Sequence, residues 1–195
     1  MTRGYDSFFD RHAPDWDRRQ TPETFEKIKV ILARLAVGPG DAVLDVGCGT
    51  GILFPFLRGL GVAEYAGIDC SEGMTREFSH KFTRTNILTA DFQIAGLFKN
   101  SSFSKIIIFN SFPHFSRRQA VFENSFAALK PGGKLCIAHS TTRDELAAIH
   151  EKAGPEVAAH ILPPDDRLLA LYSKAGFVDT QLSDSGYFYS EGQKP

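Results

Sequence analysis

Residues 43–51 read V-L-D-V-G-C-G-T-G, and their order dictates a local structure. Val43, Leu44 and Val46 are strand formers set around one acid, Asp45. The run passes without a break into Gly47, Gly49 and Gly51, with an apolar, helix-like segment behind them. Glycine lacks a Cβ, so it accepts positive φ and lets a ligand lie against the backbone. A strand, a tight glycine turn and a helix N-terminus together make a nucleotide-type pocket.

Outward from this stretch the chain alternates. Thr21-Pro22 opens a helix, with Thr21 as N-cap and proline at the first helical position; Phe25, Ile28, Leu32 and Leu35 fall on one face of it. Gly38-Pro39-Gly40 stops that helix, and the first strand follows at about 42–47. A helix is expected over 51–59, a strand over 64–68, a helix over 71–82 and a short strand near 87–90. Met74, Phe78 and Phe82 recur every four residues on the second of these helices and read as core packing. The nearly continuous apolar run 104–109 suits a strand buried on both faces. Ser116 and Gln119 predict a capping box for a helix to about Leu129, and Lys130-Pro131-Gly132-Gly133 predicts a turn into a fifth strand over 134–138. Thr142 and Glu145 cap a helix to about Ala153, a further helix over 165–175 is closed by Gly176, and two apolar stretches around Asp184-Ser185 read as a terminal hairpin. Strands alternating with helices argue for a parallel sheet covered on both faces.

The spacing of the glycines narrows the ligand. A dinucleotide fingerprint, G-x-G-x-x-G, needs glycine at the position of Ile52, and here the third glycine comes one residue early. An acid, Asp45, also lies inside the strand, two positions before the first glycine. This acidic-x-G-x-G-x-G pattern resembles the signature of class I S-adenosylmethionine-dependent methyltransferases, and the turn L-K-P-G-G-K-L at 129–135 resembles that family's entrance to its fifth strand. The resemblance covers about residues 40–190. It implies a three-layer α/β/α sandwich around a seven-stranded, mostly parallel sheet whose last strand is antiparallel.

Ligands in open α/β sheets sit beyond the carboxyl ends of the strands, so the loops leaving those ends carry the candidates. The resemblance implies that Gly47 and Gly49 let the methionine part of S-adenosylmethionine approach the backbone, with Cys48 and Gly51 in the same loop. It implies that Asp45 holds the ammonium group directly or through water; an acid inside an apolar strand is costly without such a purpose. After the second strand, Asp69 stands where relatives bind the ribose, since a carboxylate has two acceptor oxygens for two hydroxyls. Cys70 and Met74 are placed to line the adenine. After the third strand, Asp91 and Phe92 match the acid and following backbone N–H that meet the adenine edge. After the fourth, Asn110 stands where many relatives carry an acid. It rules out the simplest carry-over from metal-dependent catechol-type enzymes, and Ser111 and Phe112 replace the prolines of the N-P-P-Y box of amino-methylating nucleic-acid enzymes. Phe112 or Phe115 is expected to flank the sulfonium.

Histidine suits removal of an acceptor proton because its pKa lies near neutrality. His114 and His139 are both expected on the catalytic rim, as base or substrate contact. A convergence of His139, His150 and His114 on a metal matches no standard ligand spacing, and no metal is expected. The first 20 residues, with F-F-D-R-H-A-P-D-W-D at 8–17, resemble the F-D-x-x-A-x-x-W-D stretch that covers the cofactor in small-molecule and quinone-pathway methyltransferases. Tyr5 and Trp16 would be its aromatic contacts.

The 195 residues fit one domain, with 1–38 as a helical lid segment and 40–190 as the core. Hydrophobic residues make up 43% and charged residues 23%, the net charge is −1 and the pI is near 6.6. That balance offers no basic excess for nucleic acid or an anionic membrane, and no apolar run approaches the ~20 residues of a membrane span. The N-terminus lacks the apolar core of a signal peptide, and Cys48, Cys70 and Cys136 are too few and too scattered for a disulfide framework or a zinc knuckle, so a cytoplasmic location is expected. The sequence therefore points to a methyltransferase using S-adenosylmethionine on a small-molecule acceptor. A non-catalytic cofactor-binding or partner-regulating module of the same fold is one alternative, and an NAD-dependent oxidoreductase is another. The acceptor atom and the oligomeric state stay open at this stage.

Overall fold

A computed structural model describes residues 4–195, with side chains from Phe8 onward; the side chain of Tyr5 lies outside the described residues. Seven strands form one sheet: β1 (Ala42–Val46), β2 (Glu64–Asp69), β3 (Ile87–Thr89), β4 (Phe103–Phe109), β5 (Leu129–His139), β6 (Val178–Asp184) and β7 (Phe188–Gln193). Their order is β3-β2-β1-β4-β5-β7-β6. β1 pairs parallel with β2 and β4, β4 pairs parallel with β5, and β7 runs antiparallel to both β5 and β6. The chain steps outward from β1 to β2 and β3, then returns to place β4 on β1's other side. The crevice between β1 and β4 is thus the topological switch point, where ligands bind in such sheets.

The two faces of the sheet are read directly from β1 and β4. Leu44, Val46, Ile106 and Ile108 belong to one apolar cluster, while Val43, Ile107 and Phe109 belong to the other. Side chains alternate across a strand, so β1 and β4 must be apolar on both faces. Helices α2 (Pro22–Arg34) and α3 (Phe54–Gly59) cover one face through Ile28, Ile31, Leu32 and Leu57. Helices α5 (Arg118–Ala128), α6 (Arg143–Ala153) and α7 (Asp165–Ala175) cover the other through Val121, Phe122, Leu146, Leu168 and Tyr172. The architecture is the expected three-layer sandwich. Burial of Phe122 and Tyr172, whose rings meet edge-on at 4.7 Å, is worth ~1.5–3 kcal/mol for each side chain.

Local signals explain most boundaries. Thr21 Oγ1 accepts from the Thr24 backbone N–H at 3.3 Å and Pro22 occupies the first turn of α2. Ser71 caps α4 (Glu72–Lys81) through Met74 N–H, and Thr142 and Glu145 form the complete capping box of α6. Gly176 closes α7 in the left-handed conformation. Several expectations are corrected. Phe25 stays 38% exposed, lying against Phe56 rather than in the core. The helix expected from residue 51 starts only at Phe54, because the preceding residues turn back on themselves. Ser116 and Gln119 form no capping box: α5 begins at Arg118 without a side-chain cap, and Ser116 Oγ donates instead to Gln93 Oε1 at 3.3 Å. The Lys130–Gly133 turn is drawn into β5 as an irregularity, with the register against β4 slipping between Phe103 and Lys105.

Before the sheet, α1 (Gly4–His12) runs into a 3-10 turn, Ala13–Arg19. This segment is held at three points. Asp10 Oδ1 accepts from Ser71 Oγ at 2.6 Å and from Gly73 N–H at 2.9 Å, at the N-terminus of α4, where a carboxylate is favoured. Asp17 accepts from Thr50 Oγ1 and Lys81 Nζ, both at 2.5 Å. Arg11 reaches Glu156 at 2.7 Å.

Candidate active site

One cavity opens at the β1/β4 switch point and encloses about 930 Å³ of non-atom space, part of it continuous with solvent. Its floor is the glycine loop after β1. Gly47 has φ +72°, and a Cβ there would lie 2.4 Å from Ser111 Oγ, so the loop and the turn after β4 approach as closely as only glycine allows. Gly51 serves packing rather than the ligand. It has φ +93°, a Cβ would meet the Phe78 ring at 2.6 Å, and it does not line the cavity. Gly49 and Cys48 do line it. Cys48 is buried, and burial pushes its thiol well above the ordinary range, so it stays a neutral wall group.

Asp45 is also outside the lining. It is 2% exposed and sits behind the loop, where its Oδ2 accepts from the Tyr65 hydroxyl at 3.0 Å. Burial raises its pKa to about 7 against the lowering influence of that bond. A direct contact with a ligand's ammonium group is not what this position offers.

Asp69, at the end of β2, lines the cavity and ties its walls together. Its Oδ2 accepts from Gly49 N–H and its Oδ1 from Ser71 N–H, both at 2.9 Å. One carboxylate thus fastens the loop after β1 to the start of α4. Cys70, exposed, and Met74, buried, lie beside it. Asp91 and Phe92 line the next wall, with Asp91 Oδ1 accepting from both Gln93 N–H and Gln93 Nε2 at 2.9 Å. Asn110 lines the wall after β4. It adopts φ +52°, a conformation asparagine tolerates better than most residues, and its amide exchanges bonds with Ser140 N–H and Oγ at 2.9 and 3.2 Å. The loops after β4 and β5 are thereby joined.

The two histidines expected on the rim separate. His114 lines the cavity beside Phe115, with the Phe9 ring edge-on at 4.9 Å. His139 does not reach it. Its ring is fully buried at the end of β5 near Phe188, neither nitrogen has a hydrogen-bond partner among the described residues, and burial lowers its pKa to about 3. The alternation of β5 turns its side chain to the inside; a one-residue offset in the sheet decides rim against core. Phe112 is likewise fully buried rather than at the cavity, whereas Phe115 is in the lining. His150 packs on His114 with ring centroids 5.1 Å apart, His139 lies near enough to both to share their electrostatics from inside the core, and a fourth histidine joins them. His160 Nδ1 lies 2.9 Å from His114 Nδ1. Among the described residues no group of three or more His, Cys, Asp or Glu is arranged to hold a metal ion.

Sequence reading also missed Gln93, whose Oε1 gathers the start of α5, and Phe9 and Gln20 of the N-terminal segment, which line the cavity with Trp16. Gln93 and Gln20 carry no motif, whereas Phe9 begins the F-D-x-x-A-x-x-W-D stretch; only the packing of distant segments brings the three together.

Residues 43–133 match a family described as a methyltransferase domain. The chain carries a methyltransferase domain. Its fold is the class I Rossmann-like one. The chain is 28% identical over 169 residues to phosphoethanolamine N-methyltransferase 1 of Triticum aestivum, covering 82% of this chain and 33% of the relative. It is 26% identical over 156 residues to the O-methyltransferase resE of Aspergillus sclerotiorum, covering 72% of this chain and 59% of the relative. The chain thus spans a third to three-fifths of these curated relatives. A solved complex of a Haloferax volcanii methyltransferase activator, Trm112, with its putative methyltransferase has a fold similar to this domain, with TM-score 0.79, 18% identity, and coverage of 96% of this chain and 97% of that one. Phosphoethanolamine N-methyltransferase 2 of Haemonchus contortus, solved with S-adenosyl-L-methionine, has TM-score 0.69 and 17% identity, covering 87% of this chain and 52% of that one. Among the described residues, no helix of the methyltransferase domain is long and apolar enough to cross a membrane.

Proposed function

We propose that this methyltransferase domain moves a methyl group from S-adenosylmethionine to a hydroxyl group of a small, uncharged acceptor. The observation that carries the reading is the composition of the one wall set: two carboxylates, Asp69 and Asp91, at successive strand ends, His114 opposite, and among the described lining residues no lysine or arginine. A phosphorylated or carboxylated acceptor calls for a cationic partner in a site this apolar. The aromatic rings of Phe9, Trp16 and Phe115 suit a neutral, flat or apolar molecule.

The residues present fit the cofactor. Asp69 is placed to receive the ribose hydroxyls, and Asp91 with the Phe92 backbone to meet the adenine edge. Gly47 and Gly49 leave the backbone open to the methionine part, and Met74 and Cys70 supply walls. When bound, the cofactor supplies an activated methyl group on a sulfonium. The chain's own contribution is to hold the acceptor oxygen in line with that methyl, to exclude water with the Ala13–Arg19 turn and α1, and to take the hydroxyl proton. Burial and the neighbouring His150, His160 and His139 hold His114 well below the usual histidine range, so the ring is neutral and able to accept a proton at physiological pH. Of the N-terminal segment, α1 and the Ala13–Arg19 turn act as the lid, latched by Asp10 and Asp17, while α2 packs into the core. We assign the acceptor-side role to His114 and not to His139.

Calorimetry with S-adenosylmethionine, S-adenosylhomocysteine and NAD tests the cofactor. A labelled-methyl screen against phenols, alcohols and phosphoethanolamine tests the acceptor. Binding of the two sulfur nucleosides and labelling of hydroxyl compounds is expected. Preference for NAD overturns the cofactor reading, labelling of phosphoethanolamine alone overturns the acceptor reading, and binding without transfer to any compound favours a non-catalytic module.

A further inference from the structure

The loop after β3 needs support from outside its own strand. β3 is three residues long, lies at the edge of the sheet and pairs with β2. The loop turns with Ile94 N–H donating to Asp91 O at 2.9 Å. Helix α5 supplies the rest of the support, at two points. Asn124 Nδ2 donates to Phe92 O at 2.7 Å and to Ile94 O at 3.2 Å. Gln93 makes the second tie: its Oε1 accepts from Arg117 N–H and Ser116 Oγ, just before α5. Since α5 is seated in the core through Val121 and Phe122, the loop is attached to a rigid element.

Gln93 is 4% exposed and lines the cavity, and the groups around it fix which way its amide points. A backbone N–H only donates, so the end facing Arg117 N–H is the oxygen. The nitrogen then faces Asp91, where Nε2 donates to Oδ1 at 2.9 Å. The Gln93 backbone N–H donates to the same oxygen, also at 2.9 Å. Two donors of one residue thus converge on one carboxylate oxygen, while the Arg117 guanidinium lies 3.9 Å from the other. Turning the carboxylate would break both bonds to Oδ1, and bonds to a charged acceptor are costly to lose. We propose that Gln93 is a positioning residue for the cofactor's base: by pinning the Asp91 carboxylate to α5, it makes the cavity select a purine with an amino group at the six-position over one with a carbonyl there.

The inference rests on the reading above in which Asp91 meets the adenine edge, and it adds what makes that contact selective. An amino group at this edge donates to a carboxylate, whereas a carbonyl presents a second acceptor and is repelled. A carboxylate free to turn would swing away from the carbonyl and admit a bridging water at little cost. A pinned one keeps the repulsion against the wrong base, and the right base finds its acceptor already in place. Of the two ties to α5, Asn124 reaches backbone carbonyls, whereas Gln93 reaches the carboxylate itself.

Calorimetry on the full chain with S-adenosylhomocysteine and its six-oxo counterpart, S-inosylhomocysteine, provides the test. The wild type is expected to prefer the amino nucleoside by roughly 10- to 100-fold. Gln93→Met keeps the side chain's length and loses both links. Gln93→Glu keeps an oxygen for Arg117 N–H but replaces the donor to Asp91 by an acceptor. Both variants are expected to cut the preference to about threefold or less. A role confined to holding the loop would weaken both nucleosides alike and leave their ratio unchanged, and that result overturns the proposal. Where Gln93→Met does not fold, Gln93→Glu decides, since it keeps the tie to α5. Asp91→Asn separates this proposal from the reading beneath it. If Asp91→Asn abolishes the preference while a folded Gln93 variant retains it, the proposal falls and the Asp91 assignment stands. If the wild type binds both nucleosides equally, or Asp91→Asn retains the preference, both fall.

Discussion

Replacement of Asp45 by asparagine is expected to make the protein more stable at neutral and alkaline pH, not less. Asp45 is buried in β1 with the Tyr65 hydroxyl as its hydrogen-bond partner, and burial holds its pKa at about 7 against 3.8 for the exposed group. Below pH 3.8 the carboxyl is protonated in both the folded and unfolded chain and does not tilt the balance. Between that pH and 7 the folded form binds a proton that the unfolded form has released, so folding is disfavoured progressively as pH rises. A gap of about three pH units at ~1.4 kcal/mol each puts the full effect at roughly 4 kcal/mol, reached above pH 7. Asparagine has nearly the same shape, keeps a carbonyl oxygen for the Tyr65 hydroxyl and cannot ionise. Urea unfolding of the wild type and Asp45→Asn from pH 4.5 to 8.5 isolates the effect, because every other titrating group is common to both. The difference in unfolding free energy should grow by several kcal/mol in favour of the variant, with its steepest part between pH 5 and 7. Parallel stability curves across that range would refute the reasoning. Cofactor affinity should fall in the same variant, since the buried charge beneath the glycine loop is the one feature of β1 that favours a cation there.

Asp69→Ala removes the carboxylate that holds Gly49 and Ser71 and that we assign to the ribose, so S-adenosylmethionine binding should weaken by roughly 30- to 150-fold, taking the lost hydrogen bonding as ~2–3 kcal/mol net; calorimetry showing less than a twofold change would end the ribose assignment. Gly47→Ala combines φ +72° with a Cβ 2.4 Å from Ser111 Oγ, and should lower stability by about 2–4 kcal/mol; Ser111→Gly in the same chain should recover part of that loss in a thermal melt, and no recovery would mean the clash is not the cause. His139→Phe removes two buried nitrogens without partners and should raise stability by ~1–3 kcal/mol. Because the folded-state pKa of His139 is depressed to about 3, the advantage should widen as pH falls below 6.5, which acid unfolding of the pair would show. Asp10→Ala should release the N-terminal segment from α4, seen as faster proteolysis before residue 20 with the core resistant; unchanged cleavage would place the latch elsewhere.

Much of the fold could be read from residue order because the deciding interactions are local. Thr21-Pro22, Ser71, the Thr142–Glu145 box and Gly176 act within a turn of themselves, and an apolar run such as 104–109 reports burial on both faces of its strand. The Ser116–Gln119 pattern had the same local form, yet Gln93, on a loop 23 positions away, captured Ser116. A distant partner can outbid a local one, and spacing does not show it.

The cofactor side of the site was legible for a related reason. Gly47, Gly49, Asp69, Asp91 and Phe92 each follow a strand end directly, so chain order alone places them on one rim of a parallel sheet. The acceptor side was not. His139 also follows a strand, but the pleat turned it inward, and one residue of register separates a rim histidine from a core one. His160 follows no motif and gains its place only when the segment after α6 folds back over the turn after β4. Sequence by itself determined where this chain's nucleotide loop lies and what shape of ligand the loop admits, because a strand and its glycines are written consecutively. Tertiary structure alone decided which histidine lines the cavity, because that depends on side chains that become neighbours only when distant segments pack.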